Sequence, residues 1–534
     1  MNALVLILVS IIAFSIAYVT YGSWLTKQWG VDDTKATPAH TRPDGVDYVP
    51  ASAPVLLGHH FASIAGAGPI TGPIAAAIFG WVPVLLWIIV GSIFFGGVQD
   101  YSSLFASIRH EGKSIGEVIH VNMGTKGKQL FSIFAWLTLL LVVAAFTNIV
   151  ANTFVAVPAA ATASLLFIVL AVGFGYAVYR KGVSLTLGTV IGVVLLVICI
   201  ALGNMFPLAL SRNVWIVFLL AYIFIASTTP VWILLQPRDY LNSFLLYGML
   251  AGAVLGLLIS RPAIQLTPYA GFIVNGQFLF PILFITIACG AISGFHSLVG
   301  SGTSSKQLDK ESDAKIVGYG GMLIEGVLAT VAIITAAYVS GPRLGELLAA
   351  GGPVNVFSDG IGVFMTSFGV PFDIGKSFVA LAVSAFALTS LDTGTRLGRF
   401  ILQEFFEPED VNAPKPVLTN MYVATGLTVV FGGLLATTSW QQIWPVFGSA
   451  NQLLAALALM SVAVWLKKQG KNNKMFTIPI VFMFSATLLA LILLGRANLA
   501  TGTWILVIFP VILFVLAVIL LVQGFGILFK TEAK

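Results

Sequence analysis

Ile64-Ala65-Gly66-Ala67-Gly68-Pro69 decides how this chain is read, because Ile225-Ala226-Ser227-Thr228-Thr229-Pro230 repeats its shape at a shift of 161, from position 64 to position 225. Each string lies in an apolar segment long enough to cross a bilayer, which takes about 20 residues. Each sets small residues and a proline where a helix should run on. Proline lacks the backbone donor and clashes with the preceding turn. Paired interruptions in corresponding halves of a chain mark the substrate site of secondary transporters. Two unrelated proline kinks would look the same over six residues, so the rest of the chain has to decide.

Of 534 residues, 58% are hydrophobic and 9% charged, with a mean hydropathy of +0.98. A soluble domain carries roughly 25% charged residues. The composition therefore predicts an all-α polytopic membrane protein embedded in a lipid bilayer, with no room for a large soluble domain. The first apolar run is expected to be a retained helix, not a cleaved leader. Cys199 and Cys289 lie in apolar spans and imply no disulfide framework. There is no Walker A loop and no nucleophile–base set, so ATP drive and an enzyme are not expected. The net charge of +6 has a topological explanation and implies no nucleic-acid partner.

Fifteen spans are predicted, near 2–25, 56–79, 81–107, 129–152, 160–179, 184–206, 213–235, 241–260, 278–302, 316–340, 374–395, 417–438, 444–466, 475–496 and 502–529. Of the 27 Lys and Arg, only Arg212, Arg261, Arg343, Lys376 and Arg496 fall on one side; the other 22 fall opposite. Basic loops stay in the cytoplasm, so the N-terminus is expected outside and the C-terminus inside. Five spans start at 56 and five more at 213, which inverts the second set. The chain thus divides into 1–55, an extra N-terminal helix and loop; 56–206, a first repeat; 213–395, a second; and 417–534, additional C-terminal helices. The stretch 341–373 is read as a Gly-rich external loop. A 5+5 inverted-repeat transporter core with two discontinuous helices, flanked by extra helices, is similar to the amino acid–polyamine–cation superfamily.

The broken helices are the candidate binding site. A half-helix N-terminus offers free N–H groups and a positive dipole end, which suit a carboxylate. Gly66, Ala67 and Gly68 allow close backbone approach, and Ser227, Thr228 and Thr229 add hydroxyls. The competing explanation is close helix packing by small residues. Ionisable residues in a span cost about 2.5–3.5 kcal/mol each on insertion scales. His59, His60, Asp100, Asp239, His296 and Asp392, with Glu325 and Arg238, all fall towards the cytoplasmic side. The first six are candidate coupling or gating residues, with His able to change charge near neutrality. The plainer alternative is snorkelling and structural ion pairing, such as Asp392 with Arg396 four residues on. A divalent metal held by His59, His60 and Asp100 is the other candidate. Trp440 and Trp444 read as interface anchors, and Asn148, Asn152, Asn451 and Gln452 as hydrogen-bonding contacts between helices.

Several strings together resemble the carbon starvation protein A family, the peptide transporter/carbon starvation family. They are Gly58-His59-His60-Phe61-Ala62 with Gly66-Ala67-Gly68-Pro69; Val98-Gln99-Asp100; Gly112-Lys113-Ser114-Ile115-Gly116-Glu117; Pro237-Arg238-Asp239-Tyr240; Gly294-Phe295-His296-Ser297; Leu391-Asp392-Thr393-Gly394; and Trp444-Pro445-Val446-Phe447-Gly448 with Asn451-Gln452. They run in order over roughly 56 to 460. The resemblance implies proton-coupled uptake of peptides or pyruvate, both carboxylate-bearing, across a bacterial inner membrane by alternating access. The superfamily also implies a sodium alternative, with Ser297, Ser301 and Thr303 as candidate ligands. A sodium-coupled amino-acid symporter and a non-accumulating channel or nutrient receptor are the rival functions. A homo-oligomer is left open.

Overall fold

The computed structural model describes residues 2–44, 48–230, 233–408, 414–500 and 502–529. Lys530 and Lys534, counted with the basic loops above, lie outside them. The described chain is almost entirely helical, with one two-stranded hairpin, Ile273–Val274 with Gln277–Phe278. Helices are what a bilayer permits, because each backbone group must find its partner within the segment. They are α1 Ala3–Trp29, α2 Ala53–Ile64 plus Gly68–Phe79, α3 Trp81–Arg109, α4 Ile115–Ala156, α5 Pro158–Tyr179 and α6 Leu185–Met205. Then come α7 Arg212–Thr228, α8 Leu235–Ser260, and α9, in pieces at Leu279–Thr286, Ala288–Ala291 and Gly294–Gly302. The rest are α10 Lys315–Ala337, α11 Gly341–Thr366, α12 Phe372–Phe406, α13 Met421–Ala436, α14 Trp440–Lys468, α15 Thr477–Ala500 and α16 Ile505–Phe529.

Twelve helices among the described residues are long and apolar enough to span, and α2 makes a further span bent by 49°. The expected fifteen is therefore not reproduced one for one. α7 and α13 are shorter apolar helices, and α9 is broken where one continuous span was expected. The external loop expected at 341–373 is mostly helix. Gly351 and Gly352 (φ 72°) break α11 in its middle and interrupt the periodicity that a helix would have shown in the sequence. Its far end packs Phe364 on Gly256 and Tyr338, at the closing turns of α8 and α10, while Gly351 meets Ala156 at the end of α4. Both halves of α11 thus stay at one end of the bundle, as a hairpin.

The long α4 is the central post, with α12, α13 and α14 packed along it. Against this wall sit the two broken helices, α2 and α9, side by side. Asn451 on α14 accepts from the Phe295 N–H at 2.9 Å and donates to Ser293 Oγ at 3.0 Å. Those bonds satisfy backbone and side chain where α9 is extended at Ile292–Ser293. Gly294 has no side chain because Asn451 and Ala455 backbone occupy the space. Asn148 likewise donates to the carbonyls of Ala436 and Thr438, so these asparagines do join helices. Trp444 is not an interface anchor. It is buried, and its indole donates to the Thr286 carbonyl at 3.0 Å, beside the other break of α9.

Candidate functional site

The breaks of α2 and α9 face each other. Ala65 leaves helical geometry, and the second half of α2 restarts at Gly68. Gly68 lies directly against Cys289, and Gly66 against Ser390 and Phe146. Ala65, Ala67 and Cys289 are buried. The small residues thus serve both readings: they let the helices touch, and they put unwound backbone in the centre of the bundle.

The structure does not bring Ser227, Thr228 and Thr229 to this place. α7 packs on α4, α12 and α13, and its break is closed by arginines. Arg396 donates to the carbonyls of Ala226 and Thr229 at 2.8 Å each, and Arg399 to that of Ser227 at 2.7 Å. A helix C-terminus carries orphan carbonyls and the negative dipole end, so guanidinium groups fit it and a carboxylate does not. The hydroxyls of Thr228 and Thr229 donate back to Phe224 and Ile225 of their own helix. The helix whose break opposes that of α2 is α9. Its sequence signal was Gly294 followed by His296 and Ser297 in a run otherwise apolar.

One step from the α9 break lies a buried ionic cluster. His296 Nδ1 is 2.7 Å from Asp100 Oδ2 on α3, and its Nε2 is 3.3 Å from Glu325 Oε2 on α10. All three side chains are at most 1% exposed. Asp100 Oδ1 and both Glu325 oxygens have no hydrogen-bond partner. Gln99, one residue before Asp100, is also buried with its amide unmatched. Sequence reading assigned His296 and Asp100 to this group but gave Glu325 only its depth. His60 is one turn further on: its ring packs on Gly300 and Gly321, each four residues from His296 or Glu325, and its Nδ1 is 2.7 Å from Ser304 Oγ. His60 Nε2 is unpartnered. His59 is half-buried, and its ring makes no hydrogen bond among the described residues, its carbonyl accepting from Ser63.

This geometry corrects the metal candidate. His60 is engaged with Ser304 and Asp100 with His296, and among the described residues no group of three or more His, Cys, Asp or Glu is arranged to hold a metal ion. Adjacent histidines on one helix point apart, which is the physical reason. The sodium candidates make hydrogen bonds to nearby backbone. Ser297 donates to the Gly294 carbonyl and Ser301 to that of Ser297, at 2.6 and 2.5 Å, while Ser301 Oγ accepts from the Ile115 N–H. Thr303 ends the helix as its C-cap.

Asp392 and Asp239 belong to a second cluster. Asp392 pairs with Arg238 of α8, not with Arg396. Arg238 also donates to Tyr222 at 2.6 Å, to Asp239 at 3.2 Å and to Thr389 at 3.2 Å. Thr389 donates to Asp239 and accepts from Asn242. The i,i+4 spacing of Asp392 and Arg396 suggested a pair, but Arg396 is drawn to the α7 carbonyls.

A family model described as carbon starvation protein CstA matches residues 2–346 and 343–490. A peptide transporter CstA of Helicobacter pylori is 34% identical, aligned over 91% of this chain and 81% of its own. One from Bacillus subtilis is 32% identical over 91% and 89%. The pyruvate/proton symporter BtsT of Escherichia coli is 32% identical over 92% and 81%. Among solved structures, a manganese transporter of Eremococcus coleocola superposes with a TM-score of 0.51 at 13% identity, covering 91% of this chain and 99% of that one. That likeness concerns the fold.

Proposed function

This chain belongs to the carbon starvation protein CstA family, and from that membership we propose that it imports a peptide or pyruvate together with protons. It is a multi-pass membrane transporter and not an enzyme, as its relatives are. The observation that carries proton coupling is His296 held between Asp100 and Glu325 beside the α9 break. With the imidazole protonated and both carboxylates ionised, the cluster bears one net negative charge. Buried net charge is costly in a bilayer. One added proton cancels it, which lets the surrounding helices move past the apolar wall. Binding a proton and changing conformation are thereby linked.

The substrate carboxylate meets the unwound backbone of Gly66, Ala67 and Gly68, opposite Ser293 and Cys289. Ser304 and His60 lead from the Lys306 end of the bundle to the cluster, and serve as the relay. The two repeats begin at the two broken helices, α2 and α9, with α7 and α8 inserted between them. Each set then holds five spans, α11 being a hairpin, and the sets remain inverted. The basic-residue asymmetry supports a bacterial inner-membrane setting with the N-terminus outside and the C-terminus inside. Protons are favoured over sodium because a relative is a pyruvate/proton symporter.

The test is uptake of labelled pyruvate and labelled di- and tripeptides into proteoliposomes, under an imposed proton gradient and separately under a sodium gradient. Accumulation driven by protons and abolished by a protonophore is expected for one substrate class. Sodium-driven accumulation, or equilibration without accumulation, would overturn the reading.

A further inference from the structure

At the end of the bundle opposite Lys306 there is a second polar feature, remote from both ionic clusters. A cleft of about 480 Å³ is bounded by the last turns of α4, the start of α7, the middle of α11 and the turn into α14. Arg212 opens α7 there. Its Nη2 is tied down, donating to Asn148 Oδ1 at 2.5 Å and to the carbonyls of Thr438 and Ala436 at 3.0 and 3.3 Å. All three partners are neutral. Its Nε and Nη1 make no hydrogen bond among the described residues, and no carboxylate there pairs with it. The acids of the neighbouring α11 are committed elsewhere, Glu346 to Arg343 and Asp359 to Lys376.

With only neutral partners the guanidinium keeps its full positive charge, and its Nε–H and Nη1–H groups remain as single donors to a carboxylate. The break at Gly351–Gly352 adds to this. The second half of α11 starts at the cleft wall with Pro353, so its positive dipole end lies there too. Trp440, Asn152 and Gln441 complete the lining with one aromatic face and two neutral amides. No acidic side chain lines it.

We propose that this cleft is an entry subsite that takes the carboxylate of the substrate at Arg212 before the central site does. It rests on the reading that the substrate is a carboxylic acid arriving from this end. The cleft recognises the carboxylate alone, so pyruvate and a peptide C-terminus are the two sources, and their binding arms separate them.

The experiment is equilibrium binding of labelled pyruvate, and separately of a labelled dipeptide, to the purified full-length protein, each competed with its uncharged amide. Uptake by the same preparations in proteoliposomes is measured alongside. Arg212→Gln is expected to weaken acid binding about tenfold, the scale of one hydrogen bond to a charged group, and to erase the preference for acid over amide. Its KM should rise with little change in maximal rate, and Arg212→Lys should recover part of the loss. Gln441→Glu leaves the Arg212 anchor untouched and puts a carboxylate in the cleft, so it should weaken acid binding in the same direction even if Arg212→Gln does not fold. Unchanged acid binding and acid–amide preference in the folded variants overturns the subsite. Wild-type protein that binds acids Arg212-dependently but accumulates nothing overturns the symport reading and leaves the subsite standing.

Discussion

The two buried ionic clusters have almost the same composition and opposite bonding. Around Arg238, most donors and acceptors are matched: Asp392, Asp239, Tyr222 and Thr389 all face it, and one Asp392 oxygen and the Arg238 Nε lack a hydrogen bond. Around His296, two carboxylates compete for one imidazole, and three of their oxygens have no hydrogen bond. A matched network holds helices in one arrangement. A network short of protons is a place where protons can be bound and given up. Burial and charge alone would have ranked the two alike; the buried carboxylate oxygens without a hydrogen bond, Asp392 Oδ1 against Asp100 Oδ1 and both of Glu325, separate them.

That contrast is open to attack by substitution. Removing the hub of the matched network should do most. Arg238→Met strands Asp239 and Asp392, and breaking a buried pair costs about 3–5 kcal/mol. Loss of folded protein in thermal unfolding is expected, with partial recovery when both aspartates are also made Asn. A variant as stable as wild type would show that the network is not a strut. Glu325→Gln should behave differently. It keeps the shape and fixes one carboxylate as neutral, so the protein should fold and exchange substrate while losing proton-driven accumulation. A coupling of about 1–3 kcal/mol corresponds to a roughly 5- to 150-fold loss in accumulation ratio. Retained coupling in Glu325→Gln would transfer the proton site elsewhere.

Smaller effects test the framework around the clusters. Gly68→Ala puts a methyl into the Cys289 side chain. Overpacking of this kind costs about 1–3 kcal/mol, and Cys289→Gly in the same chain should restore stability and uptake. Failure of that rescue would mean that Gly68 matters for backbone geometry or ligand approach, beyond packing. The least change is expected from Thr229→Val, whose hydroxyl bonds only its own helix. Uptake within about twofold of wild type fits a substitution worth under ~0.5 kcal/mol. A severe loss would restore the α7 break to the substrate path.

Much of the site could be read before the fold was known. The α2 break was visible because Gly66, Gly68 and Pro69 each speak locally. His296 and Asp100 were visible because titratable groups are costly in apolar runs. The α7 break was equally visible, yet its role was not. Whether loose carbonyls meet a substrate or an arginine depends on Arg396 and Arg399, about 170 positions away. The α9 break carried only the signal of Gly294 with His296 and Ser297, and its extended Ile292–Ser293 pair depends on Asn451, which bonds the Ser293 hydroxyl and the Phe295 N–H.

By itself, then, the sequence determined the solvent of this protein, the helical class, the basic asymmetry of its ends and the first broken helix. These depend on composition and on residues that act within a turn or two of themselves. Only the tertiary structure decided which broken helix opposes the first, which aspartate pairs with which cation, and that Glu325 joins His296. Those choices are made by side chains far apart in the chain that compete for the same buried partners.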